Sequence, residues 1–204
     1  MKTLIAGAIR CSLMFLVTAS LFSVRPAQAY TVTLEQVGSN VVATGSGAFN
    51  LRGLTLSNVI AINQRGFVRA FDATMLTGPS FTNGTVNFYS GLTGPTSFGS
   101  GSMFLADTGT GDFVGIALGE FLSVPLGYLS GAPLSDSMTF NNATFASLGV
   151  TPGTYVWSRG TGANQNFTLE IPAAVPESGS SFGLLLLSFA VLFGASRSRS
   201  LRLA

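Results

Sequence analysis

Between residues 30 and 171 apolar side chains return at every second position, in short runs cut by glycine and proline, and no stretch keeps a helical period. Such a chain buries an apolar face only by pairing strands. Tyr30-Thr31-Val32-Thr33-Leu34-Glu35 sets the pattern, with Tyr30, Val32 and Leu34 in one phase and Thr31, Thr33 and Glu35 in the other. Residues 40–51 read as two short strands with a bend or bulge at Gly45-Ser46-Gly47. Residues 54–62 favour a strand, although the spacing of Leu54, Leu56, Val59 and Ile60 also fits a helical turn.

From Phe67 the punctuation becomes regular. Phe67-Val68-Arg69-Ala70-Phe71 and Thr85-Val86-Asn87-Phe88-Tyr89 are strand-like, and further strands fit 102–106, 113–118 and 121–124. Leu76-Thr77-Gly78-Pro79 and Leu92-Thr93-Gly94-Pro95 carry the same tetrapeptide, as a true repeat or as two similar turns by chance. Met138-Thr139-Phe140 and Ala143-Thr144-Phe145 flank Asn141-Asn142. The Pro152-Gly153 turn leads into Thr154-Tyr155-Val156-Trp157, and residues 166–171 pair back across a glycine-rich loop. Some ten short strands with glycine turns predict an all-β fold, an antiparallel β-sandwich-like single domain over residues 30–171.

The two ends differ from this body. Lys2 and Arg10 precede an apolar run at 11–24, and Ala27-Gln28-Ala29 follows as an A-x-A cleavage site, so residues 1–29 read as a signal peptide handed to Sec-type export machinery, with Tyr30 as the first mature residue. Arg10 before Cys11 excludes a lipoprotein site, which needs a small residue there. At the other end, residues 172–181 form a polar linker holding Val175, Pro176, Glu177, Ser178 and Gly179. Residues 182–195 form a candidate transmembrane helix, and residues 196–204 form a basic cytoplasmic tail in which Arg197, Arg199 and Arg202 act as the membrane stop. Nine residues of the apolar run are Leu, Phe or Val, together favouring insertion by about 3–5 kcal/mol before Gly183, Ser188 and Gly194 subtract some of it. A helix over residues 180–195 covers about 24 Å of a hydrocarbon layer about 30 Å thick, a marginal span that suits a segment held temporarily.

Val175-Pro176-Glu177 with small residues after it, a short apolar helix and terminal arginines together resemble the PEP-CTERM sorting signal, and Ser178-Gly179 makes the tail similar to its VPDSG variant. The tail departs from these forms at Ser178, where a second proline is common, and at Glu177, where VPDSG has Asp. Residues 146–171, reading ASLGVTPGTYVW to FTLEI, are also similar to the body that often precedes this tail. The resemblance implies an exosortase-type membrane protease as partner, an inner-membrane-anchored precursor, and a final place in the cell envelope, on the surface or in the extracellular matrix of a Gram-negative bacterium that makes exopolysaccharide.

Charge and residue usage then narrow the body's chemistry. Six of the ten basic residues lie in the end segments, leaving four arginines against seven acids in residues 30–171, a net charge of −3. No basic stripe for nucleic acid is present in that body. The chain has no histidine and its one cysteine is Cys11, so Ser-His-Asp, Cys-His and histidine-based zinc chemistry are excluded. A glycosidase-like carboxylate pair, which needs facing carboxyls about 5–9.5 Å apart, is compatible with the composition. The expectation is a non-catalytic domain without a resident cofactor.

Two local clusters stand out. Asp107-Thr108-Gly109-Thr110-Gly111-Asp112 offers two hard-oxygen ligands, Asp107 and Asp112, around a glycine-bent loop that reads either as a Ca²⁺ site or as a solvated hairpin turn. Tyr155 and Trp157 share a strand face, as a sugar-stacking platform or as core. The functional expectation is an exported, tail-sorted envelope protein. Its alternatives are a permanently anchored periplasmic protein and an exopolysaccharide-binding module.

Overall fold

Alternation sets which residues face inward, and the pairing of strands follows it. The computed structural model describes residues 29–79 and 82–173. Residues 1–28, which contain Ala27 and the expected signal peptide up to Gln28, lie outside the described residues. So do the expected sorting motif at 175–179, the candidate membrane helix at 182–195 and Arg197, Arg199 and Arg202. Among the described residues no helix is long and apolar enough to cross a membrane.

The described chain folds into two β-sheets. Along the first, the strands stand in the order Gly153–Ser158 (β12), Asn166–Ile171 (β13), Tyr30–Val37 (β1), Asn40–Gly47 (β2), Leu134–Phe140 (β11) and Thr108–Gly111 (β8). Along the second they run Thr55–Gln64 (β3), Thr82–Ser90 (β6), Phe121–Pro125 (β10), Val114–Ala117 (β9), Thr74–Thr77 (β5), Phe67–Arg69 (β4) and Met103–Leu105 (β7). All pairings are antiparallel except β1 with β13, which run parallel with Tyr30 opposite Phe167 and Thr33 opposite Glu170. The all-β, sandwich-like fold expected from the alternation is therefore present, with thirteen strands instead of some ten.

The core lies between the sheets. Val32, Leu34, Val41, Ala43 and Met138 of the first sheet join Val68, Met75, Val114, Ile116, Leu122 and Val124 of the second in one buried cluster. Each full burial of a Val, Leu, Ile or Met side chain contributes about 1.5–3 kcal/mol. A smaller cluster of Ile62, Phe67, Leu76, Val86 and Phe113 includes the neighbours of Val68 and Met75, so it sits on the opposite face of the second sheet. Double-sided burial explains why all four residues of β5 are buried and alternation is lost there.

Side-chain contacts decide three local features. Gly45 does not bend the chain: β2 runs unbroken through it, because the missing Cβ makes room for the Tyr30 ring and the Asp136 carboxylate. Ala143-Thr144-Phe145 forms the entry to a one-turn helix, Phe145–Leu148 (α1). There the Thr144 and Ser147 side chains each accept the other's backbone N–H, at 3.0 and 2.8 Å, a capping box that satisfies otherwise orphaned donors. Gly149 closes the turn at φ 63°, a left-handed conformation that disfavours larger residues. The two Leu-Thr-Gly-Pro segments also differ. Gly78 follows β5 at φ 137°, whereas Gly94 packs under the Trp157 indole, where any Cβ would collide. They are separate turns.

The ambiguous spacing at 54–62 resolves as strand. A bulge between Leu56 and Asn58 shifts the pairing of β3 with β6 by one residue. That shift returns Leu56 and Val59 to one face and produces the helix-like interval.

Candidate functional site

Tyr30 and Asp136 form the most polar contact in the core. Tyr30 opens β1 and is fully buried, with its ring stacked on Phe49 at 5.0 Å and tilted against Phe167 at 5.7 Å. Its hydroxyl donates a hydrogen bond to Asp136 Oδ2. Asp136 stands in β11 in phase with Leu134, Met138 and Phe140, so alternation turns it inward, where it is 6% exposed. Its cross-strand partners are Gly45 on β2 and Gly111 on β8. A Cβ at Gly45 would collide with the Tyr30 hydroxyl and the carboxylate, so this glycine provides the space for the pair.

Burial dominates the electrostatics here. Loss of water pushes the Asp136 carboxyl up to about 6, against the opposing pull of the Tyr30 hydrogen bond, and nearby Asp112 adds a further push upward. Thr77 is itself fully buried, and its hydroxyl proton goes to the Val114 carbonyl at 2.9 Å. Asp136 Oδ1 is accordingly left without a hydrogen-bond partner. The Tyr30 hydroxyl is raised well above its ordinary value, first by burial and then by the Asp136 charge. With Tyr30 sealed and Asp136 nearly so, the pair joins β1 to β11 and has no face open to a substrate.

Asp107 and Asp112 are not brought together. Residues 108–111 form β8 rather than a loop, which sets the two aspartates at opposite ends of a strand, about 16 Å apart at roughly 3.3 Å per residue. A Ca²⁺ ion needs its oxygens within 2.3–2.6 Å, so one ion does not take both. Each carboxylate instead accepts a backbone N–H flanking or opening β11: Asp107 from Asn141 at 2.7 Å and Asp112 from Ser135 at 2.9 Å. Among the described residues no group of three His, Cys, Asp or Glu side chains is placed to hold a metal. A cleft of about 190 Å³ opens beside Pro79, Val86, Asp112 and Phe113, below the size usual for small-molecule sites.

Trp157 is core. It is 1% exposed, its Nε1 donates to the Pro95 carbonyl at 2.8 Å, and it meets Phe98 and Phe167 edge-on at 6.4 and 5.7 Å. Tyr155 packs on Phe98 and donates its hydroxyl to the Thr151 carbonyl. The strand face that would stack a sugar is thus turned into the sandwich, and the exposed side chains of that strand are Thr154 and Val156.

Ala29, the last residue before the expected cut, is half-buried and bridges Ala48 in parallel fashion. At the other end, Pro172 and Ala173 follow β13 as exposed chain. Sequence reading missed the Tyr30–Asp136–Gly45 contact. One signal for it was present: a lone carboxylate in the apolar phase of the segment Leu134–Phe140. No protein family, no curated protein and no solved structure matches this chain.

Proposed function

We propose that this chain is an exported envelope or surface protein whose C-terminal tail is sorted, and processed, by an exosortase-type membrane transpeptidase. Its β-domain is non-catalytic cargo with a structural or matrix-associated role. The observation that carries the reading is the pairing of an N-terminal signal layout with Val175-Pro176-Glu177-Ser178-Gly179, a short apolar run and terminal arginines. The strand limits agree with it: β1 begins at Tyr30, one residue after the A-x-A site, and β13 ends at Ile171, just before the polar linker. The arginines after the apolar run favour the cytoplasmic side, leaving the domain outside. The ten linker residues 172–181 reach at most about 36 Å, so the motif stays close to the membrane.

On this reading, cleavage between Ala29 and Tyr30 precedes docking of β1. A protease binds its substrate as accessible chain, whereas the folded domain bridges Ala29 to Ala48 and seals Tyr30 among aromatic rings. The parallel partner of β1 is β13, the last strand among the described residues. The first sheet therefore closes only after the whole body has crossed the membrane. Replacing Pro176 and Glu177 together with alanine should leave unprocessed protein in the membrane fraction, read by mass spectrometry of both termini. Normal release of that variant would sink the sorting assignment.

A further inference from the structure

Of the four sheet edges, one differs in kind. The edges at β7, β8 and β12 are three, four and six residues long, whereas β3 is ten. Natural sheets protect their edges with short strands, charges, prolines or bulges. In β3 the only such device is the bulge at Leu56/Asn58, and residues 53–64 contain neither a charge nor a proline. Apart from the buried Ile62, it exposes apolar side chains on both faces: Leu56 and Val59 are each 49% exposed on one and Ile60 38% on the other. Among the described residues β6 is the only strand paired with it, so the outer row of backbone N–H and C=O groups meets no strand.

The partner that fits this edge must be long, uncharged and able to add a strand. We propose that β3 pairs antiparallel with β3 of a second copy of this chain, about a two-fold axis at Ala61, joining the two seven-stranded sheets into one. The choice of register follows from the sequence. The bulge-free part, residues 58–64, then pairs with Ile60 facing the partner's Ile62, Asn58 facing the partner's Gln64, and Val59 facing the partner's Asn63, the Val59 N–H passing to the partner from Asn58 Oδ1 of its own chain, which accepts it at 2.8 Å. The pairs thus set apolar against apolar and amide against amide on one face. Arg65 falls opposite the partner's Ser57, so no like charges meet. The other edges of the chain are too short to cover this span, and a charged peptide finds no counter-charge on it. Such strand addition draws affinity from main-chain hydrogen bonds and specificity from alternate side chains, and the self-complementary patch closes as a dimer.

The test uses the purified full chain and does not depend on the export reading. Opposed residues in an antiparallel pair have Cα atoms about 4.5–5.5 Å apart, within the range that a disulfide spans. In a Cys11→Ser background, Ala61→Cys should form a disulfide-linked dimer under mild oxidation, whereas Ser39→Cys, exposed in the β1–β2 turn, should not. Equal crosslinking of the two variants, or none at Ala61→Cys, overturns the proposal. Sedimentation gives a second readout that does not require a disulfide. Ala61→Lys and Ala61→Glu should each self-associate up to about fivefold more weakly, from like charges placed opposite one another, and their mixture should recover association. Unchanged dimerisation of either variant, or a mixture that stays monomeric, equally overturns it.

Discussion

Replacing Asp136 with asparagine should make the domain more stable at neutral pH while leaving it unchanged in acid. The carboxyl is 6% exposed and its folded-state value lies near 6, against an ordinary 3.8. A raised value means that the folded state holds the proton more tightly than the unfolded chain. The contribution of this group is therefore fully present below about pH 3.8 and is lost as pH rises through about 6. A displacement of about two units corresponds to about 3 kcal/mol of stability forfeited at pH 7. Asparagine keeps an oxygen acceptor for the Tyr30 hydroxyl and removes the buried charge, so most of that amount is regained. For a domain of this size about 1 kcal/mol moves the melting temperature by about 4 °C, which predicts a rise of about 8–12 °C at pH 7. Calorimetric melts of both proteins from pH 4 to pH 8 would show the gap opening between pH 4 and pH 7. Comparison at matched pH isolates this carboxyl from the others. A variant that melts below the wild type throughout, or a gap that does not change with pH, would refute the assignment of a buried, destabilising charge.

Three further substitutions probe the same sheet. Gly45→Ala places a methyl group against the Tyr30 hydroxyl and the Asp136 carboxylate, and overpacking of this kind costs about 1–3 kcal/mol; a wild-type denaturant midpoint would contradict the packing described. Asp107→Ala and Asp112→Ala each remove the acceptor for one backbone N–H beside β11 and should each cost about 1 kcal/mol. The loss should be the same with calcium or with chelator, and a calcium-dependent rise in melting temperature that both variants abolish would restore the ion-site reading.

The legible part of the fold follows from periodicity. β1 was readable because Tyr30, Val32 and Leu34 meet one core and Thr31 and Thr33 do not, and β12 and β13 because Pro152-Gly153 and the glycine-rich loop mark their limits. Where a strand is buried on both faces, as β5 is, alternation disappears and composition alone does not show which sheet covers it. Where a glycine serves a contact instead of a turn, as Gly45 and Gly94 do, local rules assign it the wrong role. Both failures have one cause: the neighbour that decides the matter is distant in sequence.

The same distance governs the candidate sites. Tyr30 and Asp136 are 106 residues apart and meet only because β2 sits between β1 and β11, with a glycine where the two side chains must cross it. Asp107 and Asp112 are close in sequence, yet extended backbone separates them; an alternation of Thr and Gly that looks loop-like has enough freedom to form either a turn or a strand, and pairing with β11 decides it. Trp157 shows the complement. Its strand is read correctly from local sequence, while the direction of its face depends on Gly94 and Pro95, some sixty residues earlier, which supply a surface for the indole and an acceptor for its N–H. Targeting signals are different because they are recognised as unfolded chain. Their information is local by necessity, so a sorting reading of residues 175–202 rests on local sequence alone, whereas the sites of the β-domain depend on distant contacts.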